Sequence, residues 1–200
     1  MDINTALNKR KSVRSFKDKK VNFRDLIYAI DAANKTPRAG GFYSTRFLIV
    51  ENPQSIKQIA KLADQSWIAQ APALIIVCSD ERNLENLYGE RGRIYCRQQA
   101  GAAIQNLLLN LTNAGLSGCW VGAFSDELIR EVLKIPGHIN IEALIPIGYE
   151  KPEKVAKAKK RDRPLENTMF WETWDQKRRP SAFEEPGQEA GWPPQKKVKK

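Results

Sequence analysis

The chain has 200 residues, with 33 Lys and Arg against 23 Asp and Glu for a net charge of +10, and 42% of its residues are hydrophobic. That length fits one domain, or a domain with a tail, and the apolar share supports a sizeable core, which excludes disorder throughout. The longest strongly apolar stretch, residues 73–78, is far shorter than the ~20 residues a membrane-spanning helix needs. The N-terminus also lacks the basic-then-apolar pattern of a signal peptide, so the protein is expected to be soluble and cytoplasmic.

The positive charge is concentrated late: residues 151–200 hold 14 Lys and Arg against 8 Asp and Glu, or +6 of the total. Such a balance attracts anions of many kinds, and charge alone does not choose among nucleic acid, membrane surface and phosphate cofactors. Three cysteines, Cys78, Cys96 and Cys119, are odd in number and widely spaced, with no Cys or His at metal-ligand spacing, which disfavours a disulfide framework and a metal site. Cys78 and Cys119 lie in apolar runs and read as small buried hydrophobes.

Ile3, Ala6 and Leu7 fall at i, i+3 and i+4, predicting a short amphipathic helix that ends near Lys9–Arg14. Asn22 reads as the cap of a second helix with Leu26, Ile27, Ile30 and Ala33 inward, stopping before Thr36–Gly41. Phe47–Val50 is a short β-rich run. Asn52 and Pro53 suit the cap and first turn of a helix carrying Ile56, Ile59, Ala60 and Ala63. Ala73–Cys78 reads as a buried strand, whereas residues 80–97, charged and interrupted by Gly89 and Gly92, predict a mobile helix-and-loop segment.

Between Gln98 and Ala114 apolar residues surround nearly the whole helical circumference, so this helix is expected in the core or at a subunit interface. Ser125 caps the next helix, with Asp126 and Glu127 in its first turn and Pro136-Gly137 beyond its end. Ile141–Gly148 is the last strand. Strands alternating with helices predict a layered α/β or α+β domain. After Tyr149 the composition turns to Lys, Arg and Pro, interrupted by Met169, Phe170, Trp171 and Trp174, aromatics costly to leave in water and expected to pack on something. Residues 180–200 carry four prolines and a terminal basic run, a composition that predicts disorder.

Four groupings bear on chemistry. Arg10, Lys11, Ser12 and Arg14 combine cations with a hydroxyl just past a helix, a cradle for an anion or a solvated helix end. Pro37–Tyr43 is a helix-terminating turn whose Gly40 and Gly41 let backbone approach a flat ligand, or an ordinary helix–strand turn. Gly115, Gly118 and Gly122 surround Trp120 without matching the dinucleotide fingerprint or the phosphate-binding loop, both absent from the chain. Lys157, Lys159, Lys160, Arg161 and Arg163 form a charge run, usually a solvated face, and the lack of interleaved aromatics argues against a nucleic-acid partner. The single histidine, His138, reads as a surface turn residue, and no catalytic side chain stands out, so any chemistry belongs to a bound cofactor.

Taken in order, these pieces resemble the FMN-dependent nitroreductase family over residues 2–170. The resemblance is carried by Arg10-x-Ser-x-Arg14, by Pro37-x-Ala-Gly before a strand, by Ala103-x-Gln-Asn-Leu-Leu-Leu109, by Gly115-Leu-x-Gly-x-Trp-Val-Gly122, and by Pro146-x-Gly-Tyr149 followed by Arg163-Pro-Leu-Glu166. It implies an α+β, three-layer fold, a central mixed but mainly antiparallel sheet flanked by helices, assembled as a homodimer with two FMN sites at the subunit interface. It also implies a domain over residues 1–170 and an extension over 171–200 whose aromatic part packs on the partner subunit. The implied cofactor-binding residues are Arg10, Lys11, Ser12 and Arg14 with Arg161 and Arg163 at the phosphate, Pro37, Arg38, Ala39, Gly40 and Gly41 in the turn, and Val121 and Gly122 at the reactive edge of the ring.

The implied activity is NAD(P)H-driven reduction of nitro compounds, quinones or similar small-molecule acceptors in ping-pong order, with Arg14 or Arg38 stabilising the anionic reduced flavin. One departure stands out. The family's turn commonly reads like Pro-Ser-x-x-Asn-x-Gln-Pro, whereas Gly41 and Tyr43 here supply no amides, and the Ala-Gly-Gly-x-Tyr form looks more like flavin dehydrogenases that oxidise peptide azolines. Two alternatives therefore stay open: a flavin-dependent dehydrogenase or oxidase for a specific metabolite or peptide, and a non-enzymatic nucleic-acid-binding module.

Overall fold

Short polar side chains start the first helices. Asp2 accepts from the Thr5 amide at 3.0 Å to open α1 (Ile3–Lys9), and Asn22 accepts from the Arg24 amide at 3.0 Å to open α2 (Phe23–Asn34). Asn52 accepts from Gln54 and Ser55, with Pro53 leading α3 (Pro53–Leu62), as the sequence predicts. Ser125 stands at the start of α6 (Asp126–Leu133), but its side chain makes no capping bond, so the acidic first turn alone meets the helix dipole there. The computed structural model describes residues 1–152 and 167–177, and the chain divides into two units, Met1–Lys154 and Val155–Lys200.

In the first unit, β1 (Thr45–Val50), β2 (Ala73–Asp80), β3 (Ser117–Gly118) and β4 (Ile139–Gly148) form one sheet in the order β1-β2-β4-β3, every named pair antiparallel. A parallel bridge between Ser12 and Gly118 makes it mixed. The strands run further than the apolar runs suggest, because β1 and β4 gain polar ends that complete the ladder. Side-chain alternation then sorts the two faces. Ala73, Ile75, Val77, Ala143, Ile145 and Ile147 meet α2 and α5 (Glu90–Asn113), while Leu74, Ile76, Cys78 and Leu144 meet α3 and α6. The result is the expected three layers.

Two expectations change. Residues 80–97 are not a helix-and-loop segment: α4 (Arg82–Tyr88) and α5 are broken only at Gly89, and α5 begins eight residues before Gln98. Gly92 does not interrupt the helix because its missing Cβ is what lets the backbone of α4 come close, and Arg93 is tied to Glu81 and Glu85. In α1 and α2 the inward sets are narrower than expected. Ala6, Leu26, Ala29 and Ala33 are buried and Ile30 partly so, but Ile3, Leu7 and Ile27 are exposed, together with Phe23 and Tyr28.

In the second unit, Phe170 and Trp174 lie ring on ring with centroids 4.6 Å apart, and Trp174 is exposed. The basic run at 157–163, with Arg161 and Arg163, and the tail at 180–200 lie outside the described residues. Among the described residues, no helix is long and apolar enough to cross a membrane.

Candidate functional site

The backbone amide of Arg10 donates to Ala6 at 2.9 Å and closes α1. The chain then runs extended along the sheet edge: the Val13 amide donates to Gly118 O at 3.2 Å, and the Lys17 amide to Tyr149 O at 2.8 Å. Val13 and Phe16 turn inward against Ala71 and Trp67, which leaves Ser12 and Arg14 facing out. The Arg14 guanidinium lies 5.8 Å from the centroid of the Trp67 ring, a cation–π contact that restricts its swing.

Lys11 behaves differently from its neighbours. Its ammonium pairs with Glu150 at 2.6 Å, so its charge is already answered. Arg10 and Arg14 make no ion pair among the described residues. Two unanswered guanidiniums and an exposed hydroxyl within five residues suit a phosphate.

Beside them runs the glycine segment. A Cβ on Gly118 would stand 3.3 Å from both Leu108 Cδ2 and Pro146 O, so a larger residue would push β3 off its neighbours. The Val121 amide donates to Leu144 O at 3.0 Å, while Gly122 has nothing within 4 Å of its would-be Cβ. Gln65 Nε2 donates to Ala123 O at 3.0 Å and ties the segment to the chain that leads to Trp67. Backbone at Val121–Ala123 is thus held firmly on one side and open on the other, which suits a flat ring.

The Pro37–Gly41 group is gathered elsewhere in the chain, on α5. Gln99 Nε2 donates to Phe42 O at 3.1 Å, and Asn106 Nδ2 donates to Thr36 Oγ1 at 3.1 Å. Gly40 (φ 56°) and Gly41 (φ 73°) take left-handed backbone, which glycine adopts without penalty, and Leu87 of α4 sits directly over Gly40. Arg38 stacks on Tyr43 at 4.0 Å and donates to Asn34 O at 3.3 Å. Among the described residues, one chain therefore assembles the expected ones in two groups: Arg10–Arg14, bridged to β3 at Gly118, with Val121–Gly122, bridged to β4 at Leu144, and Pro37–Gly41 on α5.

Sequence reasoning missed Trp67, Gln65 and Gln99. A tryptophan in a polar stretch was a readable signal for the first. Gln99, buried among alanines, was signalled only by its polarity in an apolar helix. The three cysteines are free and buried, and burial pushes the Cys78 thiol up to about 11, so it holds its proton at neutral pH. Burial also raises Cys96, partly offset by the neighbouring Ser44 and Ser79 hydroxyls. His138 is exposed in the turn between α6 and β4.

The family model for nitroreductases matches residues 7–67 and 54–149, which spans both groups. The chain belongs to the nitroreductase family. A family relative from Methanothermobacter thermautotrophicus, provisionally named an NADH dehydrogenase/NAD(P)H nitroreductase, is 30% identical over 154 residues, 74% of this chain and 78% of its own length. An iodotyrosine deiodinase from Thermotoga neapolitana is 27% identical over 175 residues, 73% of this chain and 87% of its own. The solved structure of an FMN-dependent nitroreductase from Clostridium difficile is 25% identical with a TM-score of 0.65, covering 77% of this chain and 91% of that one.

Proposed function

We propose that this nitroreductase-family chain is an FMN-dependent oxidoreductase, driven by NADH or NADPH, that reduces nitro compounds, quinones or similar small acceptors. The observation that carries the reading is the pair Arg10 and Arg14 flanking Ser12 at the edge of β3, beside the open backbone of Gly122. FMN combines a phosphate dianion with a flat ring, and the donor set fits both parts. Arg10, Ser12 and Arg14 would hold the phosphate, with Arg161 and Arg163 joining them in this reading. Lys11 supports the site through Glu150 rather than by direct contact.

Val121 and Gly122 would present backbone to the ring. The Pro37–Gly41 turn, placed on α5, would meet that ring from a second copy, so the working unit is a homodimer with two sites. The exposed Ile3, Leu7, Phe23, Ile27 and Tyr28 support such an assembly, because that much apolar surface is costly in water. When bound, FMN supplies the hydride-accepting and electron-passing chemistry that no side chain here supplies. A cation beside the ring, Arg14 resting on Trp67 or Arg38 from the turn, would favour negative charge on the reduced ring, and solvent can deliver the protons.

The test is direct. Purified protein should be yellow and should bleach anaerobically on titration with NADH or NADPH. Arg10→Ala with Arg14→Ala should lose flavin retention by at least about tenfold, while the flavin-free forms of parent and variant melt alike; retained flavin would remove these residues from the site. The turn without amide side chains favours a second reading, a dehydrogenase for one specific metabolite or peptide. Nicotinamide bleaching without turnover of any nitroarene or quinone would select it.

A further inference from the structure

Arg38 forms the wall between two openings beside the Pro37–Tyr43 turn. The wider, about 570 Å³, lies toward Asp31, Asn34 and Lys35. The narrower, about 350 Å³, runs between the turn and α5 and is lined by Pro37, Arg38, Ala39, Tyr95, Gln98 and Ala102, with Gln99 beneath. That volume falls within the usual range for small-molecule sites. Its lining combines an aromatic wall, small apolar residues and an exposed amide with one cation.

The charge pattern around it is uneven. Arg93 and Arg97 of α5 are turned to Glu81, Arg93 also to Glu85, and Lys35 pairs with Asp31 at 2.8 Å. Arg38 and Arg91 make no ion pair among the described residues. Instead each lies over a tyrosine, Arg38 over Tyr43 at 4.0 Å and Arg91 over Tyr95 at 5.7 Å. A guanidinium stacked on a ring keeps its N–H edge available and loses little freedom when it grips a carboxylate. Gln99 acts as a positioning residue, since its bond to Phe42 O fixes the turn against α5.

We propose that this groove takes the anionic end of a planar aromatic electron acceptor, with Arg38 gripping the carboxylate and the Tyr95 ring covering the aromatic body. The acceptor role rests on the functional reading above, while the preference for an anion rests on the groove alone.

Calorimetric titration of the purified full chain with 4-nitrobenzoate and with 4-nitrobenzamide separates the two, and the visible spectrum of the same sample reports flavin. The expected result is about tenfold tighter binding of the benzoate, with the preference abolished in Arg38→Ala and only partly kept in Arg38→Lys. Raising the salt should shrink the preference. Equal affinity for both probes in the unaltered protein, or a preference that survives Arg38→Ala, overturns the proposal. A colourless sample that still prefers benzoate instead overturns the flavin reading and leaves the groove assignment standing.

Discussion

Two glycines of α5 show how far a single residue's role depends on its neighbours. Glycine inside a helix ordinarily costs about 1 kcal/mol relative to alanine. At Gly101 a Cβ would meet only Trp120 Cη2 at 3.7 Å, an ordinary contact, so Gly101→Ala should raise stability by up to ~1 kcal/mol. At Gly92 the same atom would lie 2.1 Å from Leu84 O and 2.6 Å from the Glu85 amide nitrogen, which no rotamer change can relieve. Gly92→Ala should therefore lower stability by about 2 kcal/mol or more, measured by urea unfolding. Equal signs for the two would mean that α4 yields easily. The sequence reads Gly92 as an interruption and places Gly101 inside a helix, and it cannot foresee the clash at Gly92, because the distinguishing carbonyl comes from another element.

At the scale of elements, the junction of β2 and α4 carries a testable charge pair. Arg82 donates to both carboxylate oxygens of Asp80, at 2.9 and 2.7 Å, and this bonding holds the Asp80 carboxyl down at about 2 from its ordinary 3.8. Because the folded value is the lower one, the pair's contribution is present in full above the ordinary value and is lost as pH falls from about 4 to about 2. Arg82→Gln should therefore be less stable than the parent at neutral pH and should converge with it near pH 2, as followed by unfolding midpoints across that window. A constant difference down to the acid end would assign the effect to something other than Asp80. Helix starts and strand cores were legible here, since Asn22, Asn52 and the run at 73–78 carry local signals. The start of α5 at Glu90 was not, because it depends on Gly92 meeting the α4 backbone and on Arg93 pairing with Glu81 and Glu85.

At the scale of the whole molecule, the exposed apolar residues of α1 and α2 and the proposed sharing of each site between two copies lead to one expectation. Ile27→Glu, on an exposed position of α2, should give a monomer by analytical ultracentrifugation and should lose flavin although every residue proposed to hold the phosphate remains. A flavin-bound monomer would mean that one chain completes its own site. The sequence pointed to Arg10, Ser12 and Arg14 through their spacing, and to the Pro37–Gly41 turn through its glycines. It did not reveal that the first group is seated on β3 and the second on α5.

By itself, the sequence determined the caps at Asn22 and Asn52, the buried strands, the layered class and the order of family motifs, because each is written in residues close together along the chain. Only the tertiary structure decided that Lys11 is spent on Glu150 while Arg10 and Arg14 are not, that Arg14 rests on Trp67, and that Arg38 stands over Tyr43 beside a groove on α5. The reason is physical: a charge is available to a ligand only when no opposite charge lies within a few ångströms, and that distance is set by the packing of segments far apart in sequence.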